Sequence, residues 1–262
     1  MPFSSYTFFI FLFVSYIGYI FVKNKKIEKF YIILISIIFY CFSEYPLYIV
    51  ILILYSLYNF YIAKKLELIQ NNKYRKILFI ISIIINLLNL IFFKYSEFIF
   101  FSLNGLFRFN GYYIFNIILP LGISFYTLKN IAYIIDIYNR RIYSENKFSN
   151  YLLYIIFFPT VSAGPIIKKQ NFEKISGNNN NLVFFNEGLL YITSGLFLKI
   201  VLADNLSPYV SRIFDNNLSV TTINAWIGTF AYSLQIYFDF NGYTLIAIGL
   251  GKLFGYNIPI NF

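Results

Sequence analysis

Six polar residues of this chain, Lys129, Asn130, Asp136, Gln235, Asp239 and Asn241, are placed where they could do chemistry, because each lies within or at the edge of a long apolar run. At the centre of a membrane helix a Lys or Asp costs about 2.5–3.5 kcal/mol on insertion scales, so it persists where it lines a wet interior or finds a partner. Lys129 sits near the middle of LPLGISFYTLKNIAYIIDIY with Asn130 beside it, and Asp136 follows seven residues on, along the same helix face. Asp136 also precedes Arg140 by four residues, the spacing of an ion pair at a membrane surface. Lys129 either faces a water-filled interior, snorkels, or pairs with a carboxylate such as Asp239. In YSLQIYFDFNGY, Gln235 and Asp239 are four apart and share a helix face, and Asn241-Gly242 then interrupts the pattern. This pair either joins helices by hydrogen bonds or lines a polar tunnel. Lys199, followed by Ala203-Asp204-Asn205, reads as an anchor at a helix end with a local charge pair.

Other chemistries are excluded by what is missing. The 262 residues contain no histidine. Cys41 is the single cysteine, so no intrachain disulfide and no zinc site can form. The net charge of +10 lies in short clusters between apolar runs rather than on one face, which argues against nucleic acid.

The elements that must hold these residues are membrane helices. Apolar residues make up 59% of the chain, charged residues 12%, and the mean hydropathy is +0.65, against roughly 45–50% apolar and about 25% charged in soluble domains. The pattern predicts an all-α, polytopic integral membrane protein, a single membrane domain over residues 1–262 with about eight transmembrane helices and re-entrant or interfacial segments between them. Spans are expected at 2–22, 27–42, 47–63, 77–93, 116–138, 182–203 and 223–240, with a weaker one at 243–254. Residues 98–115, interrupted by Asn104-Gly105 and by Arg108-Phe109-Asn110-Gly111, read as interfacial or re-entrant. Residues 151–163 are too short to cross, end in Gly164-Pro165, and are flanked by basic residues on both sides, so they are expected to dip in and return on the same side. The first apolar run lacks the basic start and small-residue cleavage site of a signal peptide and reads as an uncleaved span. Basic clusters follow alternate spans, at Lys23–Lys29, Lys64–Lys76 and Arg140–Lys147, and the positive-inside rule therefore places the N-terminus outside.

Four ordered motifs then carry a resemblance. Leu119-Pro120-Leu121-Gly122-Ile123-Ser124-Phe125-Tyr126-Thr127 with Ile131-Ala132-Tyr133 and Asp136 is the first. Phe157-Phe158-Pro159 with Ala163-Gly164-Pro165-Ile166 is the second, and Gly195-Leu196-Phe197 with Lys199 and Ala203-Asp204-Asn205-Leu206 the third. The fourth runs from Tyr232 to Tyr243 and on through Ala247-Ile248-Gly249 to Gly255. Together they resemble the bacterial membrane-bound O-acyltransferases of the alginate and peptidoglycan O-acetyltransferase branch, with the teichoic-acid D-alanyl transferases as relatives. Residues 116–262 would be the family-like core, incomplete at its C-terminal end, and residues 1–115 resemble the family only in hydropathy. Asn241 stands where the family usually has Ser, Leu245 where the alginate branch commonly has Asp, and Lys129-Asn130 where two amides are frequent.

The resemblance implies an enzyme of the bacterial cytoplasmic (inner) membrane. It would move an acyl group, acetyl by preference, through a membrane tunnel onto a hydroxyl of a cell-surface polysaccharide. No bound cofactor is implied; the co-substrate is an acyl donor, acyl-CoA or an acyl-carrier thioester, reaching the tunnel from the cytoplasm. The partners are the lipid bilayer, that donor and an extracytoplasmic acceptor protein or polysaccharide. Lys129, Asn130, Gln235, Asp239, Asn241 and Tyr243 are assigned to the tunnel, and Pro159, Gly164 and Pro165 to the re-entrant segment. The family's catalytic base is a histidine in an FWxRWHxS segment shortly after a Pro-x-Asn-Phe run, which here is Pro259-Ile260-Asn261-Phe262. None of these 262 residues is then the base, and the chain by itself is expected to be an inactive fragment. A transporter with interrupted helices or a non-catalytic scaffold are the competing classes; the first usually shows paired halves, and no internal repeat is visible here. Sequencing the DNA downstream of the Phe262 codon is expected to reveal an FWxRWHxS-like segment in some frame; an intergenic region without it would favour a natural short paralogue.

Overall fold

The structure, a computed structural model, describes residues 2–23, 25–107, 118–175, 181–214 and 221–260. These fold as helices: α1 (Tyr6–Val22), α2 (Glu28–Cys41), α3 (Tyr48–Leu68), α4 (Asn72–Phe107), α5 (Ile123–Tyr138), and the short pair α6 (Phe148–Ile156) and α7 (Phe158–Val161). Strand β1 (Glu173–Lys174), α8 (Asn181–Leu196), a π-helical segment (Phe197–Ala203), α9 (Asp204–Phe214), α10 (Thr222–Leu253) and β2 (Tyr256–Asn257) follow. The strands pair antiparallel, Glu173 opposite Asn257 and Lys174 opposite Tyr256. Among the described residues three stretches are long and apolar enough to cross a membrane: Tyr48–Leu68, Asn72–Ser102 and Val183–Phe214. In the second, only 11% of the apolar window is buried by protein, so nearly its whole circumference is left for lipid.

Two expectations need correction. The run at 77–93 and the start of 98–115 are one 36-residue helix, α4, and Asn104-Gly105 lie inside it. The remainder of that stretch, with Arg108, Asn110 and Gly111, lies outside the described residues. Likewise 223–240 and 243–254 are one 32-residue helix, α10, uninterrupted at Asn241-Gly242. The reason is the same in both. A glycine costs a helix about 1 kcal/mol relative to alanine, whereas backbone groups left unpaired in an apolar setting cost several kcal/mol each.

The chain divides into two compact units. The first holds Lys29–Ser162 and Lys168–Gln170. In it α5 packs on α3 and α4, with α6 and α7 folded against α3 and α5. Residues 151–161 are all buried, and the chain bends at Phe157 before Pro159 occupies the first turn of α7, where its missing N–H is no loss. Ser36 Oγ of α2 accepts from the Phe158 N–H at 3.2 Å. Gly122 starts α5 with φ +70°, and a Cβ there would lie 1.8 Å from the Val161 carbonyl oxygen, so this position admits only glycine. At the other end of α5 the buried Arg75 clasps helix carbonyls: its Nε donates to Leu66 O of α3 at 3.1 Å, and one terminal nitrogen to Ile137 O and Tyr138 O of α5 at 3.0 and 2.8 Å. A cation there completes the unpaired carbonyls of two helix ends and suits their dipoles.

The second unit holds Met1–Glu28, Ala163–Ile167 and Asn171–Phe262. Its framework is α10 lying along α8. The two cross at backbone contact through four glycines, Gly188 and Gly195 of α8 against Gly249 and Gly242 of α10. A Cβ at Gly195 would lie 2.6 Å from Gly242 O, and one at Gly249 would lie 2.5 Å from Gly188 O. Each helix spaces its glycines by seven residues, two turns, so both contacts fall on one face. Gly195→Ala and Gly249→Ala are therefore expected to destabilise the unit by about 1–3 kcal/mol each, read as a lower thermal or denaturant midpoint in detergent, whereas Ile227→Leu, on an outward position 47% exposed, should leave the midpoint unchanged.

Candidate functional site

The π-helical segment explains why Lys199 meets its partners. In such a segment the backbone bonds run from i to i+5, and the Asp204 N–H donates to Lys199 O. Residues five apart then stack, and the Lys199 ammonium reaches Asp204 Oδ1 at 2.7 Å. Gly242 decides the rest. A Cβ there would stand 3.1 Å from Lys199 N and 3.2 Å from its Cβ, so only the bare glycine lets the Lys199 backbone lie against α10. From that position Nζ also meets Asp239 Oδ1 at 2.7 Å and lies 5.5 Å from the centre of the Tyr243 ring. The lysine side chain is 17% exposed and the two carboxylates 47% and 42%, so a mostly buried ammonium holds two acids that remain open on their outer sides. One positive and two negative groups leave a net charge of −1, fixed in place rather than poised to react: the amine is engaged as a donor and is no nucleophile.

The neighbouring tunnel candidates lie along the same helix. Gln235 is half-buried one turn before Asp239, and its Oε1 finds no hydrogen-bond donor among the described residues. Asn241 Nδ2 donates to Tyr237 Oη at 3.4 Å. Asn205 donates from Nδ2 to Val201 O at 2.8 Å and so stays local. Gly164, with φ +98°, and Pro165 are buried in this unit.

Lys129 and Asn130 belong to the other unit with Pro159. Lys129 is 1% exposed. The carboxylate expected as one possible partner, Asp239, is occupied by Lys199, and the Lys129 ammonium instead donates to Thr160 Oγ1 at 2.8 Å and to Tyr154 O at 3.3 Å. It also lies 5.6 Å from the Tyr154 ring centre. Its surroundings are thus neutral oxygens and a π face, contributed by the bent α6–α7 pair. Asn130 accepts from Tyr151 Oη through Oδ1, and its Nδ2 has no partner among the described residues. Asp136 pairs with Arg141 at 3.3 Å and not with Arg140. Arg140 adopts φ +57°, the Arg141 N–H donates to Asp136 O at 2.9 Å, and this left-handed helix stop turns residue 141 back over the last turn.

Sequence reasoning missed a second polar group in this unit. Tyr55, Asn59 and Asn86 form a buried chain in which Tyr55 Oη donates to Asn86 Oδ1, and Asn86 Nδ2 donates to Asn59 Oδ1 at 2.8 Å. The signal was present, as lone asparagines inside apolar runs. Arg75 gave no such signal, because it sits within a basic cluster that reads as a loop. Among the described residues no group of three His, Cys, Asp or Glu side chains could hold a metal ion.

The chain's similarity to known proteins agrees with its motifs. Residues 142–262 match MBOAT, the membrane-bound O-acyltransferase family. The chain is 32% identical to the peptidoglycan O-acetyltransferase of Helicobacter pylori, over 97% of its own length and 54% of that protein's. It is 34% identical to the probable alginate O-acetylase AlgI of Pseudomonas aeruginosa, over 70% of this chain and 36% of the relative, and 30% identical to the teichoic acid D-alanyltransferase of Bacillus subtilis, over 56% and 38%. This chain belongs to the membrane-bound O-acyltransferase family. It is accordingly a multi-pass integral membrane protein, and it spans between about a third and just over half of the length of these relatives.

The Lys199 cluster makes a direct prediction. Lys199→Met strands two carboxylates in an apolar setting and should cost about 1.5–3 kcal/mol, the scale of a hydrogen bond to a charged group. Lys199→Met combined with Asp239→Leu should cost less than the single change. Unfolding in detergent of wild type, both single variants and the double variant completes the cycle; strictly additive losses would show that the contact carries no coupling.

Proposed function

We propose that this chain supplies the membrane framework of an O-acyltransferase that passes an acyl group, acetyl by preference, onto a hydroxyl of a cell-surface polysaccharide. The observation that carries the reading is the alignment over 97% of the chain with a protein named for peptidoglycan O-acetylation, joined to a cluster of charges fixed inside apolar helices. Acyl transfer to a hydroxyl needs a base with a pKa near the operating pH, a role histidine suits. These 262 residues contain none, so they are expected to hold the path and not the base. In this reading Lys129, Asn130, Gln235, Asp239, Asn241 and Tyr243 line the polar route, and the bend at Pro159, with Gly164 and Pro165, is the segment that dips into the membrane and returns.

The proposal extends to topology. About eight spans in the bacterial cytoplasmic membrane, with the N-terminus outside, put the basic loops on the side of an anionic acyl-CoA or acyl-carrier donor, which they attract. The acceptor polysaccharide, or a protein carrying the acyl group to it, meets the other face.

Three measurements test this. Single-cysteine labelling from outside, in a Cys41→Ser background, should modify position 44 and spare position 72; the reverse pattern inverts the topology. In the native cell, disrupting the gene that encodes this chain should lower the ester-linked acetate released from envelope polysaccharide by mild alkali, and Lys199→Met at the chromosomal locus should do the same. Unchanged ester content in both strains would remove the acyltransferase reading. The purified 262-residue chain, given an acyl thioester and a glycan, is expected to transfer nothing above a boiled control, and turnover abolished by Lys129→Ala would make that lysine the base.

A further inference from the structure

Four polar atoms covered inside the first unit find no hydrogen-bond partner among the described residues. They are Tyr40 Oη of α2, Asn89 Nδ2 of α4, and Tyr126 Oη and Thr127 Oγ1 of α5. Tyr40 and Tyr126 are each 1% exposed and Thr127 0%, so bulk solvent does not complete their bonds. Asn89 is half-buried as a residue, but its amide nitrogen is covered. The four share one neighbourhood. The Tyr55 and Tyr126 rings lie 5.8 Å apart, the Asn89 amide stands beside the hydroxyls of both, and Thr127 stands beside that of Tyr55. The Tyr40 hydroxyl is near enough to Tyr126 to act on it electrostatically.

A polar atom covered in an apolar phase forfeits its bonds to water, so it persists where something else completes them. One turn from Asn89 the same helices pair such groups directly, as Asn86 Nδ2 donates to Asn59 Oδ1 at 2.8 Å. The donors and acceptors left over decide what completes the rest. A hydroxyl both donates and accepts, an amide nitrogen donates, and Tyr55 Oη, having given its proton to Asn86 Oδ1, still accepts. A water molecule, which donates twice and accepts twice, bridges any two of these groups. None of them is a carboxylate, a lysine or an arginine, so an ion would meet no counter-charge among them. Groups this near to one another are joined by a small molecule and not by a large one.

We propose that Tyr40, Tyr55, Asn89, Tyr126 and Thr127 bind ordered water molecules between α2, α3, α4 and α5, so that the four helices are joined there through water. The consequence falls on α5. It carries Lys129 and Asn130 within a turn of Tyr126, and on this side it is held by exchangeable molecules rather than by fixed bonds between side chains. The site belongs to one unit and does not rest on the acyl-transfer reading.

Radiolytic footprinting of the purified chain in phosphatidylcholine nanodiscs tests this. A millisecond X-ray pulse makes hydroxyl radicals from water wherever it lies. A covered side chain beside bound water is therefore oxidised, and one packed among apolar groups is not. Oxidation of Tyr40, Tyr55 and Tyr126, read by mass spectrometry, is expected to outpace that of Phe157 and Phe8, which are as deeply covered at 0% and 1% exposure. Tyr126→Phe combined with Thr127→Val keeps the shapes and removes two of the four atoms, and it should bring Tyr40 and Tyr55 down towards the Phe157 rate. Tyr126→Phe alone replaces the double variant if that fails to fold, and the wild-type comparison stands without either. Oxidation no faster than at Phe157 and Phe8 overturns the proposal. Fast oxidation that survives the loss of these atoms overturns it as well, because the radicals would then be entering from bulk solvent.

Discussion

Backbone contact between α8 and α10, at Gly188 with Gly249 and at Gly195 with Gly242, is the constraint on which the charge cluster depends. In lipid there is little hydrophobic drive to bring helices together, so close approach of small residues supplies the packing. The glycines do more than permit that approach. Gly242 receives the Lys199 backbone, and the lysine is thereby aimed at an acid on the same helix as the glycine. A side chain at position 242 would part the helices and take Lys199 away from Asp239, leaving it only its local partner Asp204. Packing and electrostatics are one arrangement here, and the π-helical turn at Phe197–Ala203 completes it by placing residues five apart on one line.

The first unit meets the same cost of polarity in lipid by other means. Lys129 is surrounded by oxygens without charge, Asn86 bonds to both Tyr55 and Asn59, and Arg75 is consumed by the carbonyls of two helix ends. Each solution removes a hydrogen-bonding group from an apolar phase without creating an ion pair. A neutral cage around an amine is easier to alter than an ion pair, because replacing Lys129 strands no carboxylate. The bent α6–α7 pair is what makes that cage, as Tyr154 and Thr160 stand on either side of the break at Phe157.

Membership of the membrane-bound O-acyltransferase family gives these two arrangements a common context without making them equivalent. The Lys199 cluster falls in motifs that resemble the family closely, in Gly195-Leu196-Phe197 through Asp204 and in the stretch around Asp239. The neutral environment of Lys129 is one that an amide would also tolerate. A lysine there is compatible with the fold because nothing nearby demands its charge.

The sequence by itself determined the class of molecule: apolar runs of membrane length, basic clusters between them, and four motifs in order. It also suggested a local charge pair of Lys199 with Asp204 at a helix end, whereas the helix runs on through Val183–Phe214 and the π-helical turn is what stacks residues five apart. The cost of a polar group in lipid marks Lys129 and Asp239 as residues needing partners. Which partners they obtained was decided only by tertiary structure. Asp239 is matched by a lysine forty residues earlier, Lys129 by a threonine thirty-one residues later, and Arg75 by carbonyls of helices on both sides of it in the chain. The same holds for Asn241-Gly242, which reads locally as a break and is instead the point where another helix is received. Periodicity and transfer cost are properties of a segment and can be read along it. A partner is chosen by which helix faces come into contact, and that depends on side-chain volumes far apart in the chain.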